Sequence, residues 1–294
     1  MLQANGLLLL AAAIWGFGFV AQRLGLDSLG PFAFNGVRFL LGALSLLPLV
    51  LWQKQRSGLK GAEFSTMWRA GLPVGMLLFI GASLQQVALL YTTAAKAGFI
   101  TGLYLVLVPL LGLWLRHKTS ANTWLGGLVA LLGLYFLSID SAMQINTGDL
   151  LLFAGAFFWA AHLLSIDHFA TKLTPVLLAL LQCLVCGVLS LGLAFVLETV
   201  TFAAVAAAVW PLLYAGILAT GVAYTLQIIG QRRAHPAHAA IILSLETVFA
   251  AVGGVWLLGE TLTVRALSGC ALMLFGMLLS QLPLRWLLRA WHKP

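Results

Sequence analysis

The sequence predicts an all-α membrane protein: ten transmembrane helices in two inverted five-helix repeats around a central cavity. Three observations carry this expectation. Of the 294 residues, 62% are hydrophobic and only 8% charged, against roughly 25% charged in a soluble domain, so lipid must be the main solvent. The apolar residues gather into ten long runs between polar breaks, each near the ~20 residues that cross a bilayer core. The second half also echoes the first at a shift of 144 residues, with Trp15 falling on Trp159, Pro31 on Pro175 and Arg38 on Gln182. A cytosolic enzyme, a secreted disulfide scaffold and a disordered tail are all excluded.

The first five runs cover about 5–22, 31–52, 69–91, 94–116 and 120–139; the second five cover about 148–170, 175–198, 208–231, 237–258 and 262–284. They are apolar all round, far longer than buried strands, and lack the alternation of an outer-membrane barrel. No Lys or Arg precedes the first run and Ala11-Ala12-Ala13 sits in its middle, so it reads as a retained helix and not a cleaved signal. The longest gap, about 53–68, leaves no room for a soluble domain. Cys183, Cys186 and Cys270 all lie within apolar runs, where a thiol acts as a small buried hydrophobe. The Cys183-x-x-Cys186 pair supplies only two of a zinc site's four ligands, and neither metal nor cofactor is expected.

The net charge of +8 could suggest nucleic acid, but its distribution points elsewhere. With a cytoplasmic N-terminus, the inner loops carry Lys54, Arg56, Lys60, Arg69, Arg116, Lys118, Lys172, Arg232, Arg233, Arg285, Arg289 and Lys293. The outer side carries only Arg23, Lys96 and Arg265, and Arg38 falls within a span. By the positive-inside rule both termini are cytoplasmic in a multi-pass plasma-membrane protein. The cations then set topology and meet anionic headgroups, and no nucleic-acid partner is implied.

Later repeat matches drift in offset: Gly81 meets Gly216 and Val87 meets Val222 at 135, while Gly126 meets Gly269 and Gly133 meets Gly276 at 143. Five spans per unit force the second copy to re-enter from the opposite face. Inverted repeats are the mechanical signature of secondary transporters, whose halves rock about a midplane site. The expected units are 1–140 and 147–284, followed by a basic aromatic cytoplasmic tail, 285–294, that reads as an interfacial anchor.

The segments AAAIWGFGFVAQR (11–23), Arg38-Phe39, TTAAKAGFITGLYLVLVPLLGLWL (92–115), AGAFFWAAH (154–162) and SLETVFAAVGGVWLLGE (244–260) stand in this order, followed by a span with Gly269 and Gly276. Together they resemble the drug/metabolite transporter superfamily, and in particular its ten-span exporters built from two EamA-type repeats. The resemblance covers nearly the whole chain. It implies ten helices around a central cavity and alternating-access transport of small metabolites, commonly outward. The chain departs from the family pattern at Thr247, where such repeats often carry Pro, which weakens any expectation of a kinked ninth helix and leaves the architecture intact. The fourth span also ends in LRHKTS with no counterpart of Gly259-Glu260, the pair read as ending the ninth helix.

An ionisable group at membrane depth costs about 2.5–3.5 kcal/mol on insertion scales, so each must face protein or a wet cavity. Arg38 lies about 10 Å below the outer end of the second helix and Glu246 about 13 Å above the inner end of the ninth. Their depths differ by about 6 Å, so the two could pair if their helices were neighbours. Glu246 is the candidate proton-coupling carboxylate; the alternative is a fixed ion pair that positions helices. Polar sets lie toward the outside (Gln22, Asn35, Arg38, Gln85, Gln86) and the inside (His162, Gln182, Tyr224, Gln227). Aromatic candidates for the cavity wall are Trp15, Phe19, Tyr104, Trp159 and Tyr224. The substrate-cavity candidates are therefore Trp15, Phe19, Arg38, Gln85, Tyr104, Trp159, His162, Gln182, Tyr224 and Glu246. His162 also reads as a satisfied packing residue, and each amide as an interhelical hydrogen bond. His235-Pro-Ala-His238 reads as a helix start. Close helix contact is expected at Gly71-x-x-x-Gly75, Gly98-x-x-x-Gly102 and Ala250-x-x-x-Gly254, serving sliding bundles, static packing or a homodimer face.

The leading function is a secondary transporter exporting small organic metabolites such as amino acids or similar amphipathic solutes. An exchanger of sugar phosphates or nucleotide sugars would want more intramembrane cations than Arg38. An intramembrane enzyme on lipid-linked substrates would want clustered carboxylates, and the eight acidic residues are dispersed. No phosphate loop appears for ATP-driven pumping.

Overall fold

Hydrocarbon leaves backbone amides no water to bond, so a chain of this composition must satisfy them within helices. The computed structural model describes residues 2–56, 64–92, 94–138, 146–258 and 263–281, and they are helical nearly throughout. In order the helices are α1 (Leu2–Leu26), α2 (Pro31–Arg56), α3 (Phe64–Ala88), α4 (Ala94–Gly102), α5 (Tyr104–Trp114), α6 (Ala121–Ser138) and α7 (Thr147–Phe169). They continue as α8 (Pro175–Leu197), α9 (Phe202–Ala207), α10 (Val209–Leu213), a π-helical stretch (Tyr214–Val222), α11 (Ala223–Gln231), α12 (Pro236–Leu243), α13 (Glu246–Leu258) and α14 (Val264–Gln281). Seven segments are long and apolar enough to cross a membrane, and three more, Ile100–Trp114, Ala121–Phe136 and Leu267–Ser280, are shorter apolar helices. The Gly259-Glu260-Thr261 junction, Lys60 and the 285–294 tail lie outside the described residues.

Helix starts follow local chemistry. Asn146 and Asp149 form a reciprocal capping box at α7, and Thr174 caps α8 with Pro175 in the first turn. His235 Nδ1 accepts from Ala237 N at 3.4 Å to start α12 at Pro236. α2 begins after Gly30, which has no side chain to cap with. Glu198, at the end of α8, supplies the cap from across the bundle, accepting from Phe32 N at 2.9 Å and Ala33 N at 2.7 Å. A carboxylate on a helix N-terminus gains from both the free N–H groups and the dipole.

Three expected spans are interrupted. The fourth is divided at Leu103, where backbone bonds tighten to the i−3 type at Leu103 N to Ile100 O and Val106 N to Leu103 O. The eighth carries the π-helical stretch, and a short α9 that was not expected precedes it. The ninth, where the missing Pro weakened any expectation of a kink, is interrupted at Ser244 and Leu245. Here hydroxyls do what a proline ring would: Ser244 Oγ donates to Ile241 O at 2.9 Å and Thr247 Oγ1 to Ser244 O at 2.6 Å. Such back-bonding draws carbonyls away from the helical ladder.

Glycine brings the helices together. A Cβ on Gly126 would stand 2.6 Å from the carbonyl oxygen of Gly276, and one on Gly133 2.6 Å from that of Gly269, so α6 and α14 touch backbone to backbone. Gly71 and Gly75 take Leu181 and Val185 of α8, while Gly98 and Gly102 take Thr247 and Leu134. These two small-residue pairs are therefore occupied within the chain and are not free as a dimer face.

We expect Gly126→Ala and Gly133→Ala each to cost about 1–3 kcal/mol through overpacking. In detergent their thermal unfolding midpoints should fall below that of Gly192→Ala, whose new Cβ meets nothing within 4 Å.

Candidate functional site

The interruptions converge on one cavity of about 600 Å³, its mouth included. Its wall includes nine expected residues, Trp15, Phe19, Arg38, Gln85, Tyr104, Trp159, His162, Tyr224 and Glu246, together with Gln22, Thr101, Leu163, Ala219, Gln227 and Leu243. Gln182 departs from the expectation. It is fully buried behind His162, whose Nε2 meets its Oε1 at 2.8 Å. It orients the imidazole and does not face the cavity. Cys183 and Cys186, its neighbours on α8, are buried free thiols.

Side-chain hydrogen bonds tie the π-helical stretch to α1 and brace it internally. Trp15 Nε1 donates to Ala219 O at 2.7 Å, Thr220 Oγ1 to Ala215 O at 2.7 Å, and Tyr214 OH reaches back to Ile14 O at 2.9 Å. Anchored this way, Trp15 lies 4.9 Å from Tyr224, ring centre to ring centre. His162 stands edge-on to Tyr224 at 5.9 Å and to Trp159 at 5.8 Å. A continuous row of rings thus forms one wall, with the π-helical backbone placing it. π-helical turns are frequent at functional sites.

Arg38 is held by its own helix and its neighbours. Its Nε donates to Asn35 Oδ1 at 2.9 Å, Asn35 Nδ2 donates to Ala82 O at 3.1 Å, and the guanidinium lies 4.5 Å from the Phe39 ring centre. Glu246 is the first residue of α13, and its Oε1 accepts from Tyr104 OH at 3.3 Å. Tyr104 is likewise the first residue of α5, so the two residues that follow the two interruptions meet at the cavity. Gly16 allows α1 to come close here, since a Cβ would stand 2.6 Å from Glu246 O. The expected approach of Arg38 to Glu246 is not an ion pair. Among the described residues each has the partners just named and neither touches the other. A depth difference of about 6 Å left their lateral separation open, and Asn35 of α2 holds Arg38 on its own helix.

Toward the loop between α1 and α2, Gln85 Nε2 donates to Gln22 Oε1 at 3.2 Å and Arg23 reaches Leu89 O at 3.2 Å, closing α1 on α3. Toward the opposite face the cavity floor is apolar, with Leu8, Val108, Ala239 and Leu243 in one core. Beyond it Arg232 caps the end of α7 through Ala170 O and Leu173 O. His117 and His235 stack edge-on at 6.0 Å at this face. Burial, with His117 adding to it, lowers the His235 imidazole pKa below its usual value, while Asp167 opposes the shift. Three polar atoms on cavity residues have no protein partner: Trp159 Nε1, Thr101 Oγ1 and Gln227 Oε1. Thr101 and the apolar Leu163, Ala219 and Leu243 were not expected on the wall. Only the run of small and hydroxyl residues before Tyr104 hinted at the first.

A bundle of membrane-length helices enclosing one cavity with a ring wall, a fixed cation and a carboxylate is the construction of a multi-pass membrane transporter. The chain belongs to the EamA-like transporter family, which it matches over residues 2–139 and again over 146–282. It is 38% identical over 277 residues to an uncharacterized transporter of Archaeoglobus fulgidus, covering 94% of this chain and 84% of that one. It is 28% identical over 281 residues to the uncharacterized transporter YwfM of Bacillus subtilis, covering 92% and 90%. A solved crystal structure has the same fold, with TM-score 0.78 over 95% of both chains at 19% identity.

Trp15 and Trp159, matched at a shift of 144 residues in the sequence, differ in what the indole holds. We expect Trp15→Phe to orphan the Ala219 carbonyl and destabilise by about 1–3 kcal/mol. Trp159→Phe removes a donor that no protein group uses, and should unfold at a higher temperature than Trp15→Phe. Thermal unfolding of both variants in detergent checks the contrast.

Proposed function

We propose that this protein is a secondary transporter that moves small organic metabolites across the plasma membrane by alternating access, as an exporter, with both termini cytoplasmic. The observation that carries the reading is the meeting of Tyr104 and Glu246 at the cavity, each at the start of a half-helix. Helices broken at midplane are how transporters gather polar groups around a solute while the rest of the span stays closed. The reading takes α4 with α5 as one span, α10 with α11 as another and α12 with α13 as a third, ten in all, in inverted repeats. Support for the inversion is the reciprocal packing of Gly126 on Gly276 and Gly133 on Gly269, the pattern a two-fold relation between halves produces. Support for the orientation is the concentration of Lys and Arg in alternate loops.

The solute class follows from the wall. Arg38 and Glu246 face one cavity without neutralising each other, which suits a carboxylate at one end of a solute and an ammonium at the other. The rings of Trp15, Tyr224 and Trp159 suit an apolar or aromatic body. Amino acids and similar amphipathic solutes fit. A sugar phosphate would meet only Arg38 as a cation. Glu246 is the coupling group in this reading. Ionised, it accepts from Tyr104 and attracts the ammonium; protonated, it releases the solute and allows the half-helices to separate.

The test is flux of a labelled amino-acid panel in proteoliposomes without ATP, with and without an imposed pH gradient. We expect the gradient to drive accumulation by the parent, and Glu246→Gln to lose at least about ten-fold of that response, or ~1.4 kcal/mol of coupling. If Glu246→Gln responds to the gradient as the parent does, the coupling role fails. If expression changes no extracellular metabolite, export fails.

A further inference from the structure

The apolar floor of the solute cavity is a seam between α5 and α12. Val108 and Leu111 of α5 and Ala239 and Leu243 of α12 pack in one core, which runs from the cavity wall out to Ala234, beside His235. Among the described residues no hydrogen bond joins α5 to α12, so apolar contact alone closes the floor. Both helices meet an interruption at the cavity end, α5 after Leu103 and α12 before Ser244 and Leu245. Neither is held there by a regular helical ladder.

At the far end of the seam two imidazoles meet. His117, in the turn after α5, stands edge-on to His235, the residue that starts α12, with ring centres 6.0 Å apart. His117 N donates to Gly112 O at 2.9 Å, which ties the turn back to α5, and His235 Nδ1 accepts from Ala237 N at 3.4 Å. That acceptance needs a lone pair on Nδ1. A proton there removes the cap and sets a cation at the positive end of the helix dipole. A second proton, on His117, sets two cations edge to edge, and Asp167 of α7 is the carboxylate in electrostatic reach of both. The other charged groups around this end are cations: Arg116 and Lys118 beside His117, Arg232 and Arg233 before His235, and Lys172, which bonds His168. His238, further along α12, bonds Ser280 Oγ at 3.0 Å and Asn5 Oδ1 at 3.3 Å. Ser280 donates its own proton to Met277 O, so both partners of His238 are able to accept, and a proton on that ring does not release it.

We propose that the α5–α12 seam is the gate at this end of the cavity and that the His117–His235 contact is its proton-sensitive latch. The latch is closed while the rings are neutral and parts when both are charged, with His238 holding α12 to α1 and α14 as the pivot. Desolvation, with His117 adding to it and Asp167 opposing, lowers the His235 pKa below its usual value. The closed form therefore disfavours the proton: the latch is intact above about pH 6.5, the ordinary imidazole value, and weakens as pH falls below it. It is a property of this end of the bundle and holds whatever solute the cavity carries; a chain that moves no amino acid in the flux test still unlatches.

The experiment is a spin-label distance measurement on the detergent-purified full chain, with nitroxides on Lys118→Cys and Arg233→Cys. Both positions are exposed beside the latch, and Cys183→Ala, Cys186→Ala and Cys270→Ala remove the native thiols. We expect one short distance at about pH 7.5; at about pH 5.5 a second, longer by about 5 Å, the scale of a one-turn shift, should hold most of the population. In His117→Gln with His235→Asn neither position titrates and the Asn side chain keeps the cap, so the short distance should persist at both pH values. Asp167→Asn removes the anion that offsets these protons and should enlarge the long population at about pH 6. A distance in the parent that ignores pH, a pH response that survives in the double variant, or an unchanged or smaller long population in Asp167→Asn would each overturn the proposal. Neither His117 nor His235 is buried in the core, so the double variant remains informative even if Asp167→Asn fails to fold.

Discussion

A bilayer offers no water to a backbone carbonyl or N–H that loses its helical partner, and each such group left alone costs several kcal/mol. Every departure from helix in this protein has to answer that constraint, and the departures are where its cavity is. At the ninth span the hydroxyls of Ser244 and Thr247 bond the backbone at the interruption. In the π-helical stretch Trp15 and Thr220 take up the carbonyls of Ala219 and Ala215. The same indole that satisfies Ala219 is the ring that lines the cavity, so repair of the backbone and construction of the wall are one event. That economy explains how a cavity with polar atoms survives inside hydrocarbon without a soluble domain around it.

Charge is spent in the same manner. Glu198 caps α2 across the bundle, Asp149 closes the capping box of α7, and Arg232 and Arg23 bond the carbonyls that end α7 and α3. Each of these groups sits at a helix terminus, where dipole and unsatisfied backbone make a charge favourable. Removing them from consideration leaves Arg38 and Glu246 as the ionisable groups of opposite sign on the cavity wall. Their separation is itself informative. A neutralised pair would offer a solute little, whereas a cation fixed by Asn35 and a carboxylate held through one hydroxyl stay available.

Much of this was legible in the sequence because the bilayer permits so few solutions. Run length and uniform apolarity sufficed for the helices, and depth counted along those runs singled out Arg38 and Glu246. What was not legible shares one cause: it depends on direction around a helix and on local hydrogen bonding, neither of which run length reports. A depth difference of only about 6 Å made an Arg38–Glu246 pair look feasible, while in the structure Arg38 bonds Asn35 and Glu246 accepts from Tyr104. The absence of Pro at 247 removed the usual sign of a break in the ninth span, yet the span is interrupted there and the Thr247 hydroxyl bonds Ser244 O. Gln182 sits at cavity depth but behind His162. Ala219, Leu163 and Leu243 line the cavity with no chemistry to announce it, and a π-helical stretch leaves no period to read.

The two halves match one family, yet corresponding residues do different things. Trp15 is bonded to a backbone carbonyl while Trp159 has a free indole N–H. Arg38 faces the cavity while Gln182, matched to it in the sequence repeat, stands behind the wall and orients the wall residue His162. Tyr104 and Glu246, which are not counterparts in the repeat, meet across the halves, the phenol donating to the carboxylate. In each of the two matched pairs one member secures the scaffold or carries the charge and the other is left to answer it. Duplication explains this division. One copy of a residue can meet the backbone's demand, which frees the other from it. In the alternating-access reading proposed above, asymmetric chemistry in the two halves presents unequal walls to whatever occupies the cavity, so the two orientations across the membrane need not be equal in energy, and Glu246 is the carboxylate that reading assigns to adjust the difference.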